Sequence, residues 1–160
     1  MDIQELLIQG QEAIRYQKIE QAKSIYASIL EIDPKNFVAN TNLGILNSNS
    51  NLSDQALQFF KIALDNHRHR GEAWINYIKY LMLFGKYKNA SEVFYQAVKY
   101  GVRGNAIDHY EILCLFANHS ILLPESNKII SLFLQEKFKE TVDLESTLDA
   151  KFFQESSYNY

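Results

Sequence analysis

The chain has 160 residues, and its six Gly and two Pro are too few for a turn-rich β-sandwich but suit a helical protein. Its formal net charge of −3 gives no overall field that would favour nucleic acid or an anionic membrane as partner. Cys114 is the only cysteine, which excludes an intramolecular disulfide and favours a reducing compartment.

The N-terminus carries no targeting signal that the sequence can show. It lacks the basic stretch and the apolar core of a signal peptide. The most apolar window, Ala73 to Phe84, is too short to cross a bilayer and contains Asn76 and Lys79. Together these observations predict a cytoplasmic protein.

The chain repeats itself with a period of 34 residues. A shift of 34 aligns three contiguous segments, which are residues 3–36, 37–70 and 71–104. An alanine recurs in each segment and an aromatic residue follows it four positions later, giving the pairs Ala22 and Tyr26, Ala56 and Phe60, and Ala90 and Phe94. A fixed period of this length is typical of solenoids, in which each unit packs on its neighbours.

Each recurring position has a packing role in a pair of antiparallel helices. The small Gly10 and Gly44 let the second helix cross closely, and Ile78 takes their place in the third segment. The aromatic residue one turn after the recurring alanine lies on the same face and fills the space between the helices. Asp33-Pro34 ends a helix, because the residue before proline is pushed out of the α region. Short turns are predicted at residues 51–53 and 84–86.

These segments resemble the tetratricopeptide repeat (TPR), a 34-residue helix–turn–helix unit. The third segment fits the pattern best, at Trp74, Tyr77, Leu81, Gly85, Tyr87, Ala90, Phe94 and Ala97. The second segment has Asn40 and the first has Leu6 in the position of Trp74. Only the first keeps the closing proline, Pro34. The resemblance covers residues 3–104 and implies an all-α, right-handed solenoid of antiparallel helix pairs.

The rest of the chain departs from the repeat. Residues 105–118 continue a helical pattern, but Pro124 stands where the recurring alanine would fall. Because proline is tolerated in the first turn of a helix, a second helix is predicted to begin there. A solenoid needs an atypical terminal unit to cover its last apolar face. We therefore predict a degenerate repeat with a capping helix over 105–153 and a loose tail over 154–160, within a single domain of residues 1–160.

The resemblance also implies where a partner would bind. In TPR proteins the first helices of successive pairs line a concave groove that binds extended peptides or short helices of other proteins. Carried over to this sequence, the groove residues are Gln11, Arg15, Thr41, Asn42, Ile45, Asn49, Ile75, Asn76, Lys79, Met82 and Leu83. Asn42 and Asn76 lie one repeat apart and resemble the asparagine ladder of O-linked N-acetylglucosamine transferases, whose amides can read a peptide backbone. Ile8 interrupts the ladder in the first segment.

Recognition of a C-terminal carboxylate is disfavoured. Some TPR domains clamp such a carboxylate with Lys, Asn and Arg side chains at set groove positions. Here those positions hold Leu7, Gln11, Asn42, Glu72 and Asn76. Only Asn42 agrees with the clamp, and Glu72 would repel a carboxylate.

No catalytic or metal-binding motif stands out. The segment His67-Arg68-His69-Arg70 lies between the second and third repeats and lacks the further ligands of a metal site. It is interpreted as an exposed basic turn, with contact to an anionic partner as the alternative. The sequence has no H-E-x-x-H, Gly-rich phosphate loop or G-x-S-x-G. We therefore predict a protein that is not an enzyme and has no metal and no cofactor.

The predicted function is that of a scaffold or adaptor, which binds a peptide or helix of another protein and neither nucleic acid nor membrane. Two alternatives stay open. In one, the chain recruits substrate proteins for a glycosyl- or methyltransferase. In the other, two copies form a homodimer through an apolar strip, since exposed apolar strips often mark interfaces. That strip consists of Ile45, Ile75, Met82 and Leu83.

Overall fold

The described part of the chain is helical. The computed structural model describes residues 2–50, 52–104, 107 and 110. Its elements are α1 (Ile3–Arg15), α2 (Ile19–Ile32), α3 (Phe37–Ser48), α4 (Ser53–Asn66), α5 (Gly71–Leu83) and α6 (Tyr87–Lys99). The first helices of the three pairs begin at residues 3, 37 and 71, where the 34-residue period begins each segment. The predicted degenerate repeat and cap over 105–153, apart from Ile107 and Tyr110, and the tail over 154–160 lie outside the described residues.

The helices stack as three pairs in chain order. Each first helix packs on the second helix of its own pair, and α2 and α4 also contact the first helix of the next pair. The first helices α3 and α5 contact each other directly. Between α4 and α6, by contrast, lies a cleft of about 450 Å³ that is also lined by Tyr77 and Leu81 of α5. Because α3 and α5 touch where α4 and α6 stand apart, the second and third pairs curve with their first helices on the concave side.

Glycine permits the close crossing in the first two pairs. A Cβ atom on Gly10 would lie 2.7 Å from Cζ of Tyr26, and one on Gly44 would lie 2.7 Å from Cζ of Phe60. Both rings are fully buried and have no room to move aside. In the third pair the same position holds Ile78, which is also fully buried. This pair therefore fills its crossing with an aliphatic side chain instead.

The turn inside a pair requires one left-handed residue. Gln17 and Gly85 occupy equivalent positions in the first and third pairs, with φ angles of 57° and 69°. In both turns the next backbone N–H, that of Lys18 or Lys86, donates to the carbonyl five residues earlier at 2.8 Å. This is the Schellman arrangement that ends many helices. Glycine adopts it without strain, whereas an L side chain in this region costs about 1–2 kcal/mol.

The position of Trp74 is buried in every pair, and two of the three pairs make the same hydrogen bond from it. Nε1 of Trp74 donates to the carbonyl oxygen of Arg68 at 2.9 Å. Nδ2 of Asn40 donates to the carbonyl oxygen of Pro34, the equivalent residue, at 3.1 Å. Leu6 has no side-chain donor and is held by apolar burial. Asn40 therefore replaces the polar contact of the indole but not its volume.

The core consists of two clusters that meet at α3. The first joins α1, α2 and α3 around Tyr26 and Ile29. The second runs from Phe37 at the start of α3 through α6 and includes Trp74 and Ile107. Each helix pair thus shares its core with the next pair. Among the residues that the structure describes, no helix is long and apolar enough to cross a membrane.

Candidate functional site

The concave side brings together the middle part of the predicted groove. Asn42 and Ile45 of α3 and Ile75 and Asn76 of α5 are all half-buried, and these two helices are in direct contact. Residues one repeat apart occupy matching turns of neighbouring helices, so Asn42 and Asn76 correspond. Polar amides and aliphatic side chains therefore alternate over one shared surface.

The two ends of the predicted groove differ in exposure. Gln11 and Arg15 of α1 are exposed, and Asn49 is exposed at the end of α3. The Arg15 guanidinium lies 5.0 Å from the centre of the Tyr16 ring and donates to the Tyr16 hydroxyl at 3.2 Å. Ile8 stands in the ladder position of α1 and is 58% exposed. Helix α1 thus contributes an exposed, partly apolar edge to the predicted groove.

Two residues assigned to the groove are buried instead. Met82 is only 1% exposed and belongs to the second core cluster with Ile78. Its flexible thioether side chain can fill an irregular core gap, whereas the shorter Ser48 at the equivalent position stays half-buried. Thr41 is 7% exposed, and its hydroxyl has no partner among the described residues. Met82 therefore does not line the groove, and Thr41 offers it almost no surface.

Burial also reduces the apolar strip considered for self-association. Ile45, Ile75 and Leu83 are half-buried and pack against the second core cluster. Met82 lies inside that cluster. Less apolar surface is therefore available to a second copy than the sequence suggested, and the homodimer stays a prediction.

The two ladder asparagines already make one bond each. Nδ2 of Asn42 donates to the carbonyl oxygen of Val38, one turn earlier, at 2.9 Å. The amide of Asn76 bonds to the carboxylate of Glu72, also one turn earlier. A carboxamide has two N–H donors and a carbonyl acceptor, so each group keeps capacity for a bound chain.

Glu72 supplies negative charge at this surface. The side chain of Glu72 is exposed, but neighbouring groups partly desolvate its carboxylate and raise its pKa, and the charge of Arg70 and the hydrogen bond with Asn76 offset only part of that rise. Lys79, two turns further along α5, is half-buried, and its ammonium lies 5.6 Å from the centre of the Tyr80 ring. The sequence pattern gives Glu72 as a residue of the groove helix that would repel a carboxylate. Its i, i+4 spacing to Asn76 was the signal for their contact.

The basic turn between the second and third pairs is tied into the structure. Nε2 of His67 lies 2.8 Å from the carbonyl oxygen of Lys35, and its ring packs edge-on against Phe37 at 5.4 Å. The Arg70 guanidinium lies 4.6 Å from the centre of the same Phe37 ring. In the described residues no group of three or more His, Cys, Asp or Glu side chains could hold a metal ion. His67 thus has a packing role at this junction.

No protein-family model matches the sequence, and no curated protein matches it. Solved structures do resemble it in fold. The first TPR of Spaghetti (RPAP3) bound to HSP90 peptide SRMEEVD has a TM-score of 0.63 at 16% identity, over 74% of this chain and 94% of that chain. The Sgt2 TPR domain from Aspergillus fumigatus has a TM-score of 0.57 at 17% identity, over 88% and 82% of the two chains.

A third similar structure is a mutant O-GlcNAc transferase from Thermobaculum terrenum. Its TM-score is 0.58 at 20% identity, over 84% of this chain and 26% of the transferase. This chain therefore spans about a quarter of that enzyme's length. With the helix pairs described above, these similarities show that the chain has the TPR fold predicted from its sequence: an all-α solenoid.

Proposed function

We propose that the chain is a protein-interaction scaffold that binds a peptide or short helix of a partner protein along the concave surface of α1, α3 and α5. The observation that carries the proposal is the shared surface of α3 and α5. There Asn42 and Asn76 stand in matching turns beside the half-buried Ile45 and Ile75. Amides can pair with the backbone groups of a ligand while the aliphatic side chains cover its apolar groups.

Charge at this surface narrows the expected ligand. Glu72 places a carboxylate next to Asn76, where it would repel an acidic terminus. The similar RPAP3 domain holds an HSP90 peptide, which supports peptide binding by this fold. The clamp positions of this chain differ, so we expect a ligand held through its backbone and apolar side chains rather than through a terminal carboxylate.

The test compares two double variants that each lose two amides. Asn42→Ala with Asn76→Ala removes the ladder, and Gln58→Ala with Gln96→Ala removes two exposed amides from α4 and α6. Immobilised wild type and control are expected to retain the same partner from a lysate of the source cells. The ladder variant should bind that partner about tenfold or more weakly by calorimetry, because two hydrogen bonds of about 1 kcal/mol each are lost.

The groove assignment fails if the ladder variant, shown to be folded by circular dichroism, binds the partner as tightly as the control. Loss of the partner in both variants would equally contradict it, since the control residues face away from the concave side. Only selective loss in the ladder variant supports the proposal.

A second function, substrate recruitment for a glycosyltransferase, is favoured by the likeness to the O-GlcNAc transferase. In that case proteins retained by the groove would be substrates of such an enzyme. The proteins to analyse are those that the wild type retains and the ladder variant loses. If these proteins carry no O-linked sugar, the recruitment role is contradicted. A cytoplasmic location remains a prediction in either case.

A further inference from the structure

The loops that join one helix pair to the next form one continuous edge, here called the turn edge, which comprises residues 33–36, 65–70 and 99–104. His67 contacts the carbonyl oxygen of Lys35 at 2.8 Å and so joins the first loop to the second. Arg68 donates to the hydroxyl of Tyr100 at 3.1 Å and joins the second loop to the third. Bases on different loops therefore belong to one surface.

The turn edge is basic and exposed. It carries five exposed bases, which are Lys35, Arg68, Arg70, Lys99 and Arg103. The two acids of these loops are used within the protein. Asp33 accepts hydrogen bonds from the backbone N–H of Lys35 and from the amide of Asn36. Asp65 pairs with Arg68 and with Lys61 of α4.

Two of these bases have no counter-charge among the described residues. Lys35 and Lys99 form no ion pair there, whereas the charge of Arg70 acts on the Glu72 carboxylate. Elsewhere Lys86 pairs with Asp54 at 2.9 Å across the cleft between α4 and α6. The turn edge therefore presents cationic groups that no described carboxylate neutralises.

The carboxylate of Asp65 is stabilised in its charged form by neighbouring bases. Burial alone would raise the pKa of Asp65, but the hydrogen bonds and charges of Lys61 and Arg68 together lower it. The distance from Arg68 Nη2 to Asp65 Oδ1 is 3.2 Å. Arginine is well suited to carboxylates because its planar guanidinium offers several N–H donors in one plane.

We propose that the turn edge is a second binding surface, which takes an extended acidic segment of a partner protein. The contact between α3 and α5 sets the spacing of the loops at about 10 Å, the distance between packed helices. Three residues of a chain in the extended polyproline II conformation span about 9 Å and complete one turn, so every third side chain points to the same face. The fitting ligand therefore carries Glu or Asp at every third position.

A protein partner suits this surface better than nucleic acid. The chain as a whole has a net charge of −3, so its long-range field opposes a densely charged polyanion more than a segment with a few carboxylates. The local excess at the turn edge is five bases against two acids, which matches a few carboxylates rather than a phosphate backbone. This surface lies at the loops and not on the concave side, so the inference goes beyond the proposed groove function.

The test uses a fluorescein-labelled twelve-residue peptide with Glu at every third position, and the same peptide with Gln in place of Glu. Anisotropy titrations with the full chain should show binding of the Glu peptide only, weakened by raising salt from 50 to 300 mM. Lys35→Gln with Lys99→Gln should weaken binding about five- to tenfold. The matched control, Lys18→Gln with Lys88→Gln, removes two exposed lysines outside the turn edge and should change it less than about twofold.

Three results would overturn the proposal. They are equal weakening by both lysine variants, binding of the Gln peptide as tight as that of the Glu peptide, and tighter binding of a single-stranded oligonucleotide of equal length. Loss of peptide binding in the asparagine ladder variant alone would place the peptide in the groove and also refute the turn edge. This assay uses a defined peptide and does not need the groove partner. Its outcome therefore tests the turn edge even if the groove proposal fails.

Discussion

The first and third helix pairs share one backbone arrangement but fill it with different side chains. In α1–α2, Gly10 lies directly against the ring of Tyr26. In α5–α6, Ile78 takes the glycine position, and both it and Phe94 are buried. The repeat therefore fixes where the helices cross, and each pair reaches close packing with its own combination of volumes. A residue that suits one pair should fail in the other, and exchanges between the pairs test this.

The largest effect is expected when the first pair receives the third pair's aliphatic residue. Gly10→Ile should lower the free energy of unfolding by about 2–3 kcal/mol, because the added atoms overlap a ring that cannot move aside. Urea denaturation followed by circular dichroism measures the loss. Gln21→Ile on the exposed side of α2 is the control and should shift stability by less than about 0.5 kcal/mol. Equal midpoints for both variants would contradict the role of Gly10.

Exchanging the aromatic residue should have a smaller and opposite effect. The Tyr26 hydroxyl is buried without a partner among the described residues, and burial raises the pKa of Tyr26 to about 12. Tyr26→Phe, the residue of the third pair, should stabilise the protein by about 1 kcal/mol because no hydroxyl is then left unbonded. Thermal unfolding should show a higher Tm. Phe60→Tyr in the second pair is the reverse change and should lower it, whereas a lower Tm for Tyr26→Phe would reveal a bond to that hydroxyl.

A comparable gain in stability is expected from a substitution in the turn of the first pair. Gln17 adopts a left-handed backbone that Gly85 supplies in the third pair. Gln17→Gly should raise the free energy of unfolding by as much as about 1 kcal/mol, because the relief of backbone strain exceeds the entropic cost of fixing glycine on folding. Gly85→Ala makes the opposite exchange and should cost about 1 kcal/mol. Chemical denaturation of both variants is the measurement, and shifts in the same direction would disprove the equivalence of the two turns.

The smallest effect concerns Glu72, whose counterpart in the first pair is Gln4. The pKa of Glu72 is raised on folding, so the folded protein holds this proton more tightly and stability falls as pH rises through that pKa. Glu72→Gln should gain stability at pH 7, by less than about 0.5 kcal/mol because the exposed side chain is screened by solvent.

Melting temperatures measured between pH 3 and pH 7 check the sign of this effect. The advantage of Glu72→Gln over wild type should shrink as pH falls and Glu72 becomes protonated. An advantage that grows toward acid pH would mean that the carboxylate is stabilised in the folded protein.

Much of this fold could be predicted from the sequence because its signals are local and repeated. The period placed the starts of the first helices, and Asp33-Pro34 marked the end of α2 at Ile32. The predicted turn at residues 84–86 is the gap between α5 and α6. The crossing of the first pair followed from the size of Gly10 alone. Each inference needed only one helix pair and its neighbour.

The candidate site was harder to predict because repeat position does not fix the direction of a long side chain. Met82 occupies a groove position by count, yet it reaches into the core where Ser48 cannot. The polar role of Asn40 in the tryptophan position depends on a carbonyl six residues away. The turn edge depends on contacts between loops 32 residues apart, such as that of Arg68 with Tyr100. Such relations exist only once the pairs are stacked.

The cleft between α4 and α6 has a mechanical consequence. The contact line of α3 and α5 acts as a pivot, and the outer helices stand about one helix diameter, ~10 Å, from it as lever arms. Opening the cleft breaks the exposed Lys86–Asp54 pair at little cost, because solvent screens it. Any wider flexure about this pivot must part the core that α4 shares with α5, including the stacked rings of Phe60 and Tyr80. The wall of the solenoid is therefore stiff between its second and third pairs.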